Sequence, residues 1–210
     1  MGAKTALLAF TDGDLRPALL GATSSDAAEA EAVVRKILPG YDVTLEGDTT
    51  LDVTYPPDDI THVTVLPGAE LLCDRRLVFD RPSELPEHLL RVGVDRRIIM
   101  HGMHSVVDWL CFALWENGKL IRSLSLSPDG GIEENIGEPF DFERPFWDGL
   151  HRVEPDPAWE DEDPYPLPFH PLEFGEVALN APRMLRMGPD GKMQEVSWDE
   201  FERNHFPAVP

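Results

Sequence analysis

The chain has 210 residues and carries 39 Asp and Glu residues against 18 Lys and Arg, a net charge of −21 with neutral histidines. This length suits one domain with its own core, or one domain with an extended tail. The charge argues against binding to nucleic acids or to anionic lipid, because both require a basic surface. It is compatible with a basic protein partner or a cation.

The first forty residues predict a buried strand and two helical segments. The strand covers residues 6–10, and one or two helical turns follow at 15–20. A longer helix is expected to begin at Ser24 or Ser25, since serine is a favoured N-cap residue. The Pro-Gly pair at 39–40 is expected to end it.

The next fifty residues predict a hairpin, two strands and a helix. Residues 41–46 and 51–55 are expected to pair across Gly-Asp as a hairpin. Residues 61–66 and 69–73 are strand candidates, separated by Pro-Gly. A short helix is expected at 82–90.

The stretch 96–138 predicts the centre of an antiparallel sheet. Its strand-like runs are residues 98–100, 106–115, 120–127 and 132–136. The continuous apolar run at 106–115 is typical of a strand buried on both faces. Asn117-Gly118 favours the type I′ turn that joins antiparallel strands.

In the run 120–127 the serines and most of the apolar residues alternate, so a strand would place them on opposite faces. The serines that share one face are Ser123, Ser125 and Ser127. They suggest a face turned to water or to a ligand. Arg122 lies on the same face of the strand as the leucines, and a half-buried arginine there needs a carboxylate as its partner. Asp108 or Glu116 is the expected partner.

The amino-acid composition of the chain changes after residue 139. Between 133 and 163 twelve acidic residues stand against two arginines, which indicates a solvated face or linker. Residues 151–171 are rich in proline and predict an acidic arm without regular structure. We therefore expect an α+β fold: a single domain over 1–150 with a mainly antiparallel sheet and helices packed on it, then the arm. A C-terminal helix and hairpin over 172–210 are expected to pack back on the domain.

Two sets of residues have the side chains of a metal site. Asp12 and Asp14 flank a glycine at the end of the first strand, where carboxylates could hold Mg²⁺. His101 and His104, with Asp108, are ligand types for zinc or iron. In strands, however, His-x-x-His spacing points the two rings apart. The alternative to each site is a polar turn or a strand bend.

Ser105 stands beside His104 and near Asp108, which supplies the residue types of a hydrolase triad. The Gly-x-Ser-x-Gly elbow is absent, and neighbours in sequence rarely have triad geometry. These three residues are the catalytic candidates.

The acidic run near residue 160 is the predicted partner-binding segment. Its members are Trp159, Glu160, Asp161, Glu162 and Asp163. Cys73 and Cys111 lie in apolar runs and are expected to be small buried thiols. No signal peptide or membrane-spanning run is found, so a cytoplasmic protein is expected.

Several motifs resemble an uncharacterised family of bacterial proteins of this length that is common in actinomycetes. They are Gly2-Ala3-Lys4-Thr5, the run HGMHSVVDWLCFALWENGKLIRSLSLSPDGGIEENIGEPFDFE and Pro145-Phe146-Trp147. The resemblance implies a cytoplasmic, stand-alone domain and transfers no catalytic residue or cofactor. A looser resemblance, carried by Gly-Glu-Pro-x-x-Phe-Glu, is to small acidic domains found near toxin-immunity and defence systems.

The sequence favours a non-enzymatic domain that binds a basic protein partner, in an immunity-like role and without a cofactor. A metal-dependent hydrolase that uses the residues above is the first alternative. A small-ligand-binding domain that uses the serine face is the second.

Overall fold

Strands from the whole N-terminal two-thirds of the chain form one antiparallel sheet in the computed structural model, which describes residues 4–13, 15–20, 26–50, 53–154, 164–187 and 193–195. The strands are β1 (Lys4–Thr11), β2 (His62–Leu66), β3 (Ala69–Cys73), β4 (Arg97–His104), β5 (Trp109–Glu116), β6 (Lys119–Ser127) and β7 (Gly131–Ile136). Their order across the sheet is β2-β3-β1-β4-β5-β6-β7. The prediction of an α+β fold with a mainly antiparallel sheet is confirmed.

Helices pack on this sheet, and a small hairpin follows it. The helices are α1 (Leu15–Leu20), α2 (Ala27–Ile37), α3 (Glu87–Val92), α4 (Arg144–Trp147) and α5 (Pro171–Met184). The predicted C-terminal hairpin is present as β8 (Leu185–Met187) and β9 (Met193–Glu195). The described residues contain no helix that is long and apolar enough to span a membrane.

Strand β5 explains the longest apolar run of the sequence, because both of its faces are covered. Cys111 and Ala113 pack in the core that contains α2 and α3. Leu110 and Phe112 pack in the core that contains α5. We call the side of Cys111 the first face of the sheet and the side of Phe112 the second face. In a strand with two buried faces neither alternating set of side chains is polar, as the sequence predicted.

Side-chain alternation continues these two cores through the neighbouring strands. In β4, Ile98 and Met100 lie on the first face, and Ile99 lies on the second with Leu15 of α1. The first face is closed by α2, α3 and the segment between β3 and α3. The second is closed by α1, α4 and α5. The sheet is therefore the middle of three layers.

The turn between β5 and β6 has the predicted chemistry. Asn117 and Gly118 have φ angles of 51° and 75°. Positive φ at both positions is what a type I′ turn requires, and few residues other than Asn and Gly adopt it readily. The dipeptide therefore fixes the register of the central hairpin.

The N-cap of α2 differs from the predicted one. Asp26 caps the helix, and its carboxylate accepts hydrogen bonds from the backbone N–H groups of Ala28 (2.8 Å) and Glu29 (3.2 Å). Ser24 and Ser25 lie outside the described residues. A carboxylate at this position also complements the positive end of the helix dipole, so aspartate satisfies both requirements.

The predicted hairpin at 41–55 is wrong, because residues 41–50 form no strand. Nearly all of this segment is exposed, so no core fixes a strand register there. Thr54 bonds to β1 instead. Its carbonyl accepts from the N–H of Ala6 (2.8 Å) and its hydroxyl donates to the carbonyl of Lys4 (3.1 Å).

Two further boundaries are corrected. The predicted helix at 82–90 is a 3₁₀ turn, Pro82–Glu84, followed by α3. Pro86 separates them because proline lacks the N–H that a continuous helix needs. Val106 and Val107, predicted to begin a strand, lie in the turn between β4 and β5, 73% and 50% exposed.

Candidate functional site

A cleft of about 1250 Å³ opens beside the edge strand β2. One wall is α2, and the other is formed by residues 41–50, 53 and 54. Residues of β2 and β3 line its base, and Ala178 and Asn180 of α5 reach it from the second face. Residues 41–50 line the cleft and add no strand to the edge of the sheet.

The rim of this cleft is acidic. Among the described lining residues the acidic ones are Glu31, Asp42, Glu46, Asp48 and Asp59. We call Asp42, Glu46 and Asp48, all exposed on the segment 41–50, the acidic rim. Glu31 is paired with Arg35 of the same helix. Carboxylates that remain in water without a partner produce a negative potential toward the cleft opening.

Arg76 is the sole arginine or lysine among the described lining residues. Its guanidinium is already paired with a carboxylate of the protein. The buried carboxylate of Asp74 accepts from Nη2 of Arg76 at 2.6 Å. The guanidinium also lies 4.9 Å from the ring centroid of Tyr41. The hydrogen bond that Arg76 donates to Asp74 raises the pKa of Arg76. Arg76 therefore holds the segment in place and leaves the acidic rim uncompensated.

Apolar side chains accompany the acidic rim. Tyr41, Leu45 and Val53 are 54%, 64% and 40% exposed. All three side chains line the same cleft as the carboxylates of the acidic rim. The combination suits a ligand that carries both positive charge and apolar surface.

His101, a predicted metal ligand, is a buried structural residue that is 1% exposed. Its Nε2 lies 2.8 Å from the carbonyl oxygen of Gly175, and its Nδ1 lies 2.7 Å from Oγ1 of Thr5. Since a carbonyl can only accept, Nε2 carries the proton and Nδ1 accepts from Thr5. Burial lowers the pKa of His101 to about 4, although the Gly175 bond opposes this. Both ring nitrogens are already used within the protein.

His104 lies on the other face of the sheet from His101, as alternation along β4 requires. Its Nδ1 accepts from the N–H of Val106 at 3.3 Å. Its ring meets that of Tyr55 edge-on, with centroids 5.7 Å apart. The two histidines therefore do not face a common point.

Asp12 lies at the far end of the same strands. Thr11 pairs with Arg97 and Lys4 with His104, which places Asp12 roughly 25 Å from His104 at ~3.3 Å per residue. Asp12 forms an ion pair with Arg96. Asp14 lies outside the described residues. Over the described parts of the chain, no three His, Cys, Asp or Glu side chains are grouped so that they could hold a metal ion.

The catalytic candidates Ser105 and Asp108 lie in the turn between β4 and β5. Asp108 has a φ of 46° and faces Nε2 of His170 at 3.6 Å. The Nδ1 of His170 accepts from the N–H of Leu172 (3.2 Å), so this ring caps α5. Within the described residues no hydrogen bond joins Ser105 to His104 or to Asp108. The structure therefore brings a carboxylate and a histidine together, but not the predicted pair.

Sequence patterns alone did not identify the buried ion pair of Arg122 and Glu143, both 0% exposed. Nε of Arg122 donates to both carboxylate oxygens (2.9 and 3.1 Å) and Nη2 donates at 2.7 Å. The expected partners, Asp108 and Glu116, are wrong. The sequence did contain one indication. Arg122 alternates with Leu124 and Leu126, so its side chain lies on the second face, where the segment after Phe140 packs.

The serine face is also buried, contrary to the expectation that it turns to water. Ser123 and Ser125 are 0% exposed and Ser127 is 9% exposed. The hydroxyl of Ser123 donates to Glu134, which also accepts from the N–H and hydroxyl of Ser83. The serines are small because the segment that contains Ser83 covers this face closely.

The predicted partner-binding residues lie outside the described residues. These are Trp159, Glu160, Asp161, Glu162 and Asp163. In the described part of the same acidic stretch, Glu134 and Glu143 are buried and bonded. Glu138, Asp148 and Glu154 are exposed. The stretch is thus only partly a solvated surface.

The fold and the cleft define a three-layer α+β domain with a central antiparallel sheet and an acidic edge cleft. Over residues 5–195 the chain matches the model of a family of unknown function, DUF6928. The chain belongs to that family. No curated protein and no solved structure matches the chain.

Proposed function

We propose that the protein is a cytoplasmic, non-enzymatic binding protein that takes a basic segment of a protein partner into the cleft beside β2, in an immunity-like role. One observation carries the proposal: the acidic rim lies exposed beside a cleft whose only described arginine is already bound to Asp74. Complementary charge speeds the encounter of two proteins and selects the correct partner.

The exposed side chains of Tyr41, Leu45 and Val53 supply the apolar part of this surface. Binding surfaces draw most of their energy from a few large side chains that become buried, and the charged rim adds specificity. The acidic run Glu160, Asp161, Glu162 and Asp163, with Trp159, is proposed as a second acidic arm for the same partner.

The test compares two variants with equal charge. The cleft variant is Asp42→Asn, Glu46→Gln, Asp48→Asn. The control is Asp95→Asn, Asp129→Asn, Glu138→Gln, which neutralises three exposed acids that do not line the cleft. Wild type and both variants are immobilised and exposed to lysate of the native host at low and high salt, and retained proteins are identified by mass spectrometry.

The expected result is a basic protein retained by wild type and by the control at low salt, released at high salt, and lost by the cleft variant. The affinity of the identified partner is then measured in purified form for all three chains. Equal affinity of the cleft variant and the control would refute the cleft as the binding surface, because only charge position differs between them. A third variant that neutralises Glu160 to Asp163 tests the second arm separately.

A further inference from the structure

The two edges of the sheet differ in how they are protected. β2 and β7 are its terminal strands. β7 contains Glu133 and Glu134, and its pairing with β6 shifts register. Charged residues and bulges of this kind keep another chain from pairing with an edge strand. The sequence of β2 is HVTVL, with no lysine, arginine, acidic residue or proline, and its register with β3 is regular. The outer edge of β2 therefore lacks the features that protect β7.

The hydrogen bonds of β3 show which backbone groups of β2 lie at this outer edge. The N–H of Asp74 donates to the carbonyl of Ala6 at 3.0 Å and so continues the ladder between β1 and β3. Because bonding alternates along a strand, the even-numbered residues of β3 bond to β1 and the odd-numbered ones bond to β2. Val63 is opposite Leu72, an even-numbered residue. The N–H and C=O of Val63 therefore point away from β3.

These backbone groups face the cleft, because Val63 is one of its lining residues. Thr61, the next residue in the same alternation, also lines it. Among the residues that the structure describes, the N–H of Val63 has no acceptor outside the sheet and no further strand pairs with β2. The opposite wall, residues 41–50, forms no helix, strand, turn or bend. The cleft thus lies against an edge of the sheet that has hydrogen-bonding capacity left.

Charge complementarity determines the kind of segment that fits beside this edge. The acidic rim lies exposed on the other wall of the cleft and favours basic side chains. Val43 and Val63, which also line the cleft, pack against the core of the first face and favour apolar ones. Successive side chains of a strand point to opposite faces. A strand that alternates basic and apolar residues can therefore satisfy both surfaces at once.

We infer that the basic segment of the partner binds as an added strand on the outer edge of β2, with basic and apolar residues in alternation. The inference rests on the proposed function, since it assigns a binding mode to the same cleft and the same partner. In strand addition, main-chain hydrogen bonds supply affinity and alternate side chains supply specificity. Thr61 and Val63 provide the main-chain bonds here, and the acidic rim selects the basic residues.

The first test titrates the full chain, isotope-labelled for NMR, with a synthetic peptide of about eight residues. In this parent peptide arginine and valine alternate, and both termini are capped. We expect saturable binding, and we expect the exchange of the Val63 N–H with solvent to slow by about tenfold or more when the peptide is bound. Binding that does not saturate by millimolar peptide, or unchanged exchange at Val63, would overturn the inference.

Methylation of the peptide backbone separates strand addition from attraction between charges. Alternate residues of a strand turn their N–H groups to opposite edges. Methyl groups on the valine nitrogens therefore block one edge, those on the arginine nitrogens block the other, and the charge stays the same. We expect one methylated peptide to bind about tenfold more weakly than the parent or worse, and the other to bind about as well as the parent. Equal affinities of the two methylated peptides would contradict pairing through one edge.

Two variants at one position test the same edge from the side of the protein. Val63→Pro removes the outward N–H, and proline is tolerated in an edge strand where that group faces outward. Val63→Ala keeps the N–H and shortens the side chain. We expect the proline variant to weaken binding of the parent peptide by about tenfold or more and the alanine variant by under about threefold. Urea unfolding verifies that both are folded, and equal binding by the two would count against Val63 as a donor.

The cleft variant Asp42→Asn, Glu46→Gln, Asp48→Asn distinguishes this inference from the proposed function. If that variant loses the parent peptide but methylation has no effect, the added strand is wrong and the acidic binding surface is supported. If the two methylated peptides differ but the cleft variant binds the parent as well as the control variant does, the β2 edge is supported and the charge-based function is wrong. Slower exchange at Val63 with rising protein concentration, in the absence of peptide, would show that a second copy covers the edge and would overturn the assignment to a basic partner.

Discussion

Two acid-rich regions of this protein use their carboxylates in opposite ways. Glu134 and Glu143 are 7% and 0% exposed, and each accepts hydrogen bonds from two or more donors in other segments. Asp42, Glu46 and Asp48 are exposed on a segment without regular structure. Local acid density in the sequence is similar, so it does not reveal which carboxylates hold the fold and which are available to a ligand. The difference is that donors on other segments of the chain pack against Glu134 and Glu143.

The largest expected effect is at the buried pair of Arg122 and Glu143. Glu143→Gln removes the negative charge and leaves a buried guanidinium uncompensated, which should lower the free energy of unfolding by about 3–5 kcal/mol. Urea unfolding measures this. Asp141→Asn, in the same turn but 68% exposed and paired with Arg144 on the surface, is the control and should cost under ~1 kcal/mol. Similar losses in both variants would remove the contrast between buried and exposed acids.

The next effect comes from His101, whose folded pKa is about 4 against an ordinary value near 6.5. The unfolded chain then binds the extra proton, so stability is full above pH ~6.5, falls as pH drops, and levels off near pH 4. Between pH 7 and pH 5 the loss from this group is about 2 kcal/mol. Unfolding of wild type and His101→Gln at both pH values isolates it. A wild-type pH dependence equal to that of the variant would contradict the buried, neutral ring.

A smaller effect is expected at Glu134. Glu134→Gln keeps one carbonyl oxygen as an acceptor and replaces the other with an amide group that cannot accept from Ser83 or Ser123. We expect a loss of about 1–2 kcal/mol in the free energy of unfolding. Glu133→Gln, the adjacent and partly exposed acid, serves as the control. A neutral result at Glu134 would mean that its hydrogen bonds do not hold β6 and β7 to the 3₁₀ turn.

The smallest effect on stability is expected at the acidic rim. Asp42→Asn, Glu46→Gln, Asp48→Asn should change the free energy of unfolding by under ~0.5 kcal/mol per site, because these groups have no buried contact to lose. The same variant is the one expected to lose the basic partner. A large loss of stability would place these carboxylates with Glu134 and Glu143 and would end the distinction between the two regions.

The sequence predicted the parts of this fold that depend on local chemistry. Asn117-Gly118 identified the central hairpin, and the unbroken apolar run at 106–115 identified a strand with two buried faces. The segment 41–55 was mispredicted because strand propensity has little meaning where no core selects a face. The turn at Val106 and Val107 was misplaced for a related reason, since apolar character alone does not tell a strand from an exposed hairpin tip.

The site was harder to predict because its geometry joins distant segments. Glu143 pairs with Arg122 only once the chain after β7 folds across the second face, and no spacing rule contains that information. His101 and His104 resembled a ligand pair, yet strand alternation places them on opposite faces, as the spacing argument expected. The cleft combines α2, residues 41–50, 53 and 54, and α5, which come together only in the folded chain.

The position of β1 also matters while the protein is being made. This strand lies between β3 and β4, whose residues follow it by about sixty and ninety positions in the chain. At ~5–20 residues per second of translation, β1 emerges from the ribosome several seconds before β4 exists. During that time an apolar strand with two open edges is exposed to other nascent chains. β3 covers one of these edges first and β4 covers the other, so β1 keeps an open edge until about half of the chain has been made.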